Sequence, residues 1–297
     1  MKYLRNQTNA LCLEAVKLDG FSLQYVNYQT NEIRLEAVKQ NGNALQFVVN
    51  QNEVICMEAV KKNGEALKFI RNQTNALCLE AVKQNGKAFE FVRNQTNEIC
   101  LKAVKKYGWA LEFVKNPTHE ICLEAVKQSG LTLKFVKNPT HEMCLEAVKQ
   151  NGYAIELVNE QTLEMCIIAV KQYGNILKYI KEPTEEVCLE AVKQCGDALR
   201  YVKNQTEEMC LIAVQIGDNL KFVKNQTEKI CLQAVKQNIN NILIVENQTE
   251  VIALEVVKRN GLYLVHIENQ TEAVCLEAVK QNGLALQFVK NQTKEAL

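Results

Sequence analysis

Apolar residues fall into two clusters that recur together along the whole chain. In one stretch Ile99-Cys100-Leu101 and then Ala103-Val104 make the first cluster, and Ala110-Leu111 with Phe113-Val114 make the second. On a helical wheel Ile99, Cys100, Ala103 and Val104 share one stripe, and Leu101 widens it to roughly 200° of arc. A helix apolar over more than half its surface is covered on both sides, as in a stack. The second cluster is shorter. Its Ala, Leu, Lys, Gln and Glu favour a second helix of about seven or eight residues, although a short run ending in Phe-Val also fits a strand. A helix–turn–helix unit is the preferred reading, and a βα unit akin to a leucine-rich repeat is the alternative.

The edges of these clusters repeat as well. Thr stands at 8, 30, 74, 96, 118, 140, 162, 184, 206, 227, 249, 271 and 293, with Asn52 in the one vacant place. The spacing is 22 residues, apart from a single 21 between Thr206 and Thr227, so thirteen complete repeats occupy 8–292. Thr is a good N-cap, and the acidic residues that often follow suit the first turn of a helix. Pro117, Pro139 and Pro183 each precede a capping Thr, where they stop the previous helix without disturbing the next. All twelve glycines share one phase, often after Asn or Asp, which predicts a left-handed residue closing a first helix of about ten residues. Helices this short are marginal alone. The expected fold is therefore all-α: an α-solenoid, or superhelix, of thirteen 22-residue helix-turn-helix repeats, forming a single elongated domain over 1–297.

The repeats at 206–267 are irregular. One residue is missing around 213–217, which predicts a bent or shortened first helix. Ile239 replaces a glycine, which predicts a differently built turn. Residues 1–5 match the end of a second helix, and 293–297 begin another first helix. Without polar caps, the expectation is a longer array or ends that meet something, such as a second copy head to tail. No signal-like segment or membrane-length apolar run is present, so secretion and membrane insertion are not expected.

Composition narrows the chemistry. Eleven of the twelve cysteines hold one phase (12, 56, 78, 100, 122, 144, 166, 188, 210, 231 and 275), and only Cys195 stands apart, at a helix end where it is expected to be exposed. Equivalent atoms on stacked helices lie about 10 Å apart, beyond the roughly 7 Å that a disulfide allows between Cα atoms. Metal-type Cys spacing is absent, so these thiols read as small core residues in a reducing, cytoplasmic setting. The Asn-Gln-Thr strings match a glycosylation sequon but read better as the repeat's turn. His119 and His141 begin adjacent helices and could share a metal; their plain reading is surface. Lys recurs at one phase, with Glu three residues ahead in nine repeats, and the formal net charge is +1. That pairing argues against a nucleic-acid partner, although basic residues before the turn (Arg71, Arg93, Lys115, Lys137, Lys203, Lys224) leave one edge positive.

The residue right after each glycine varies most: Phe21, Asn43, Glu65, Lys87, Trp109, Leu131, Tyr153, Asn175, Asp197 and Asp218, with Asn240, Leu262 and Leu284 beyond them. Such a position either drifts freely or reads a partner, with Trp109, Leu131 and Tyr153 as the anchor.

The phrase Thr96 to Lys106 and onward, Thr-x-Glu-Ile-Cys-Leu followed by Ala-Val-Lys and Gly-x-Ala-Leu-x-Phe-Val, resembles a short tandem repeat of unassigned function found in amoeba-infecting giant viruses and some bacteria. The abundance of Asn, Lys, Ile and Glu suits an AT-rich genome. The resemblance implies an intracellular repeat protein, acting in an infected cell or in a virion, and carries no catalytic residues or cofactor. A near-symmetric array also lacks the unique site that catalysis needs. The expected function is a non-enzymatic scaffold that binds a protein or peptide, of a host cell if the source is viral, along the solenoid groove through the residues after glycine. Structural self-assembly into a filament or virion, and nucleic-acid binding by a helical repeat, are the alternatives.

Overall fold

The computed structural model describes residues 7–290. Both clusters are helical, and no strand occurs among the described residues, which removes the βα alternative. Among the described residues thirteen α-helices, Asn9–Leu18 through Glu272–Gln281, alternate with thirteen 3-10 helices, Gly20–Tyr25 through Gly283–Phe288. The expectations about the two chain ends concern residues outside the described ones. The second element is thus a 3-10 helix of six residues, such as Gly64–Phe69, rather than a longer α-helix. The Asn63 carbonyl accepts from the Ala66 N–H at 2.9 Å, and the Leu67 carbonyl accepts from the Ile70 N–H at 3.1 Å. These tighter bonds close the run before an α-helical pattern can establish itself.

The chain divides into two compact units, Met1–Leu157 and Val158–Leu297. Within each, successive α-helices pack on one another, successive 3-10 helices do the same, and each 3-10 helix lies against the α-helix of the following repeat. The core lies between the two rows. Ile99, Cys100, Ala103 and Val104 of one α-helix are buried, as are Ala110 and Leu111 of the 3-10 helix that follows. The capping role of Thr holds: the Thr96 hydroxyl accepts from the Ile99 N–H at 3.4 Å, and Asn52 serves the same way for Ile55 at 2.9 Å.

The glycines correct one expectation. None among the described residues has a positive φ, so none is a left-handed terminator. The α-helix ends one residue earlier, at an extended residue such as Asn63 (φ −149, ψ 111), whose side chain accepts from the Glu65 N–H. Gly64 is required by proximity: a Cβ there would sit 2.5 Å from the carbonyl oxygen of Ala81 in the next repeat. Close backbone approach fixes the residue, rather than its dihedral freedom.

Two further expectations change. The residue missing near 213–217 leaves the α-helix Glu207–Ile216 at full length and shortens the 3-10 helix to Leu220–Phe222. Met209, Cys210, Ala213 and Val214 are all buried in register with their neighbours, so the loss falls where packing is less demanding. Asn219, 3% exposed, ties the shortened turn to the Ala213 carbonyl at 2.8 Å. At Ile239 the turn is built as elsewhere, with the Asn238 side chain accepting from the Asn240 N–H. The missing glycine is accommodated because this 3-10 helix touches the next α-helix much less than its counterparts do.

Candidate functional site

The residues after glycine lie at the junction between one 3-10 helix and the next, and several engage the following repeat. The Phe21 ring stands edge-on to Phe47 at 5.9 Å, and Trp109 stands edge-on to Phe135 at 5.8 Å. Asn43 accepts from the Asn63 side chain, Glu65 from Asn85, and Asp218 from Asn238. Asp197 pairs within its own repeat with Arg200. Lys87 lies near the Tyr107 ring, 5.8 Å from its centroid, while Lys134 sits 4.6 Å over Trp109. Trp109 and Leu131 are half-buried, and Lys87, Tyr153 and Asn175 are exposed. The position therefore combines partial exposure with contact to the adjacent repeat.

A second set of side chains was not singled out from the sequence. The residue before each capping Thr is either Gln or Pro throughout. In the first unit, the Nε2 of Gln7, Gln29, Gln51, Gln73 and Gln95 donates to the last carbonyl of the next 3-10 helix at 2.7–2.8 Å, or 2.9 Å for Gln73. The Oε1 of each accepts the backbone N–H two residues further on, at 2.9–3.1 Å. Gln161, Gln205, Gln226, Gln248 and Gln270 repeat the pair in the second unit. One carboxamide thus satisfies a donor and an acceptor that no regular element reaches. In several repeats Nε2 also reaches a carbonyl of its own repeat, as Gln73 does with Leu67 at 3.2 Å. The column cysteine adds a weak S–H donor, as Cys78 does to Gln73 at 3.8 Å.

Pro117 interrupts this arrangement in the first unit. No side chain among the described residues bonds the Phe135 carbonyl or the Lys137 N–H, the groups that correspond to those Gln95 holds one repeat earlier. At this place a cleft of about 570 Å³ is lined by Leu111, Pro117, His119, Cys122, Phe135, Lys137 and their neighbours. The corresponding cleft beside Gln95 measures about 320 Å³.

The cysteine column is buried except for Cys275, which like Cys195 is partly exposed, and all twelve thiols are free. From Cys56 onward burial pushes the column thiols above their ordinary value, as at Cys122, and Cys231 rises to about 11 with the Glu246 carboxylate adding to the effect. They are thiols rather than thiolates at neutral pH, poor nucleophiles and weak donors. The lysine ladder is largely paired, as Lys39 is with Glu36 at 2.9 Å and Lys149 with Glu146 at 3.1 Å. No group of three or more His, Cys, Asp or Glu side chains suited to a metal occurs among the described residues. Nor is any helix among them long and apolar enough to cross a membrane.

A family model described as a domain of unknown function (DUF4116) matches residues 11–51, 31–75, 55–97, 77–117, 96–139, 118–163, 140–183 and 162–206. The overlapping matches step along the chain at the repeat spacing. No curated protein matches the chain.

Proposed function

The chain belongs to the DUF4116 family of tandem repeats, and from that premise we propose that it is a non-enzymatic scaffold that binds a protein or peptide. One observation carries the reading. Around the residue after each glycine the backbone and its hydrogen bonds repeat, while that side chain changes from one repeat to the next. A framework held constant around a variable, partly exposed position suits recognition better than catalysis. Trp109 is the anchor: half-buried, braced by Phe135, and overlaid by Lys134, with Leu131 and Tyr153 following on successive 3-10 helices. Aromatic anchors of this kind dominate interface energetics. The cations over the rings favour a partner segment that carries carboxylates beside its apolar groups. A reducing, cytoplasmic setting belongs to the same proposal and is supported by the free thiols.

Trp109 is the only tryptophan in the chain, so its fluorescence reports on the surface directly. Partners captured from host lysate are titrated against the parent and against a Trp109→Ala/Tyr153→Ala double variant of unchanged circular dichroism. The proposal requires a blue shift of the Trp109 emission on binding, and at least a tenfold weaker affinity in the double variant, about 1.4 kcal/mol. Equal affinities overturn it. Growth of scattering with protein concentration alone, or salt-sensitive binding of random RNA by both proteins, transfers support to self-assembly or to nucleic acid.

A further inference from the structure

We propose that the cleft beside Pro117 is a receptor for a primary carboxamide, presented as the Asn or Gln side chain of an extended peptide segment. The other repeats display what the site accepts. Where glutamine precedes the cap, its carboxamide is held by backbone groups of the next repeat and, in several repeats, also by a carbonyl of its own repeat and by the column thiol, as Gln73 is by Phe91, Arg93, Leu67 and Cys78. The groups equivalent to those four are Phe135, Lys137, Leu111 and Cys122, and all four residues line the cleft. Pro117 supplies the backbone bend of the turn but no side-chain donor or acceptor. The receptor therefore remains, and its internal ligand is missing.

The chemistry is selective. The Phe135 carbonyl and the second lone pair of the Leu111 carbonyl, whose first accepts from the Val114 N–H at 3.1 Å, can take two donors, and the Lys137 N–H and Cys122 S–H can take one acceptor. A primary carboxamide provides both on adjacent atoms. A carboxylate has no proton for the carbonyls, and a thioether has neither function. A trans peptide group points its N–H and C=O in opposite directions and cannot engage both sides. The volume of about 570 Å³ admits a side chain with its flanking backbone. This site is distinct from the Trp109 side chain, so either proposal can fail without the other.

The test uses the full chain and three blocked amino acids: N-acetyl-glutamine N-methylamide, its glutamate counterpart and its methionine counterpart. Binding is read from the Lys137 backbone amide in a nitrogen–proton correlation spectrum. The glutamine probe is expected to shift that signal in a saturable way, with the other two at least about tenfold weaker, the loss expected when a pair of hydrogen bonds is withdrawn. Pro117→Gln restores the internal carboxamide and should abolish the response, using a residue that ten other junctions already accommodate. Gln95→Ala should create a new responsive site at the Lys115 amide, whose N–H the native glutamine holds at 3.0 Å. Equal binding of glutamine and glutamate probes, undiminished binding by Pro117→Gln, or no response at Lys137 in the native chain would each overturn the assignment.

Discussion

At the scale of single residues, glycine and glutamine set the spacing of the repeats from opposite directions. Glycine removes a Cβ that would collide with the carbonyl of the next helix, and glutamine reaches across to hold the next turn at hydrogen-bond distance. The glycine phase was legible in the sequence, but its reason was not. A glycine after Asn reads as a left-handed terminator, whereas a collision with a residue 17 positions away has no local signature. The two roles separate by mutation. Gly64→Ala places a Cβ 2.5 Å from the Ala81 oxygen and should cost about 1–3 kcal/mol, as overpacking does. At Gly217 the nearest atom is the Asn219 Nδ2 at 3.5 Å, ordinary contact, so Gly217→Ala should stay within about 0.5 kcal/mol. Urea midpoints of the two variants decide it, and equal losses would mean that conformational freedom, and not proximity, selects glycine.

The elements are short enough that their ends govern them. A ten-residue α-helix has no reserve of internal hydrogen bonds, so each N-cap counts. The capping Thr was legible because the side-chain oxygen and its target are three residues apart in one chain. One cap departs from the pattern. The Thr249 hydroxyl is buried without a hydrogen-bond partner, and its helix Glu250–Arg259 has no side-chain cap. Thr96→Ala should therefore lower stability by about 1 kcal/mol, while Thr249→Val should be neutral or slightly stabilising, because it removes an unpaired polar group. Hydrogen exchange at the Ile99 and Ile252 amides, beside global unfolding, distinguishes the two. A loss at Thr249→Val equal to that at Thr96→Ala would show that its hydroxyl is satisfied in solution. The 3-10 helices were less legible. Ala-Leu-Lys-Phe favours helix of either kind, and the choice of the tighter one rests on a six-residue span between anchored ends.

Across the molecule as a whole, the same residue types recur at the same depth, and small effects add along each unit. The cysteine column makes this measurable. Burial raises the thiols of Cys56, Cys78, Cys100, Cys122, Cys144, Cys166, Cys188 and Cys210, and Cys231 to about 11. A folded thiol then keeps its proton at a pH where the unfolded chain has released it. The unfolded state binds fewer protons in that interval, so stability falls as pH rises. The contribution is complete below the ordinary thiol value of 9.0 and disappears on approach to about 11. Urea midpoints should decline through that window, and Cys231→Ala should flatten the decline, although a small cavity lowers its stability at every pH. A midpoint that does not change from pH 9.0 to about 11 would mean that the thiols are better solvated than their burial implies.

The repeat length, the all-helical class, the cap, the apolar stripe and the paired Glu–Lys face were determined by the sequence, because each depends on residues within about two turns of one another. The Gln junction was present in the sequence as a strict alternation with Pro, but its meaning depends on groups some 18 and 20 residues ahead, such as Phe91 and Arg93 for Gln73. Only the packed structure brings those groups together. It was the tertiary structure that decided what the glycines avoid, where a missing residue is absorbed, and that Pro117 leaves a cleft, because each follows from the distance between neighbouring repeats. That distance is set by side chains meeting across the junction and is written in neither repeat alone.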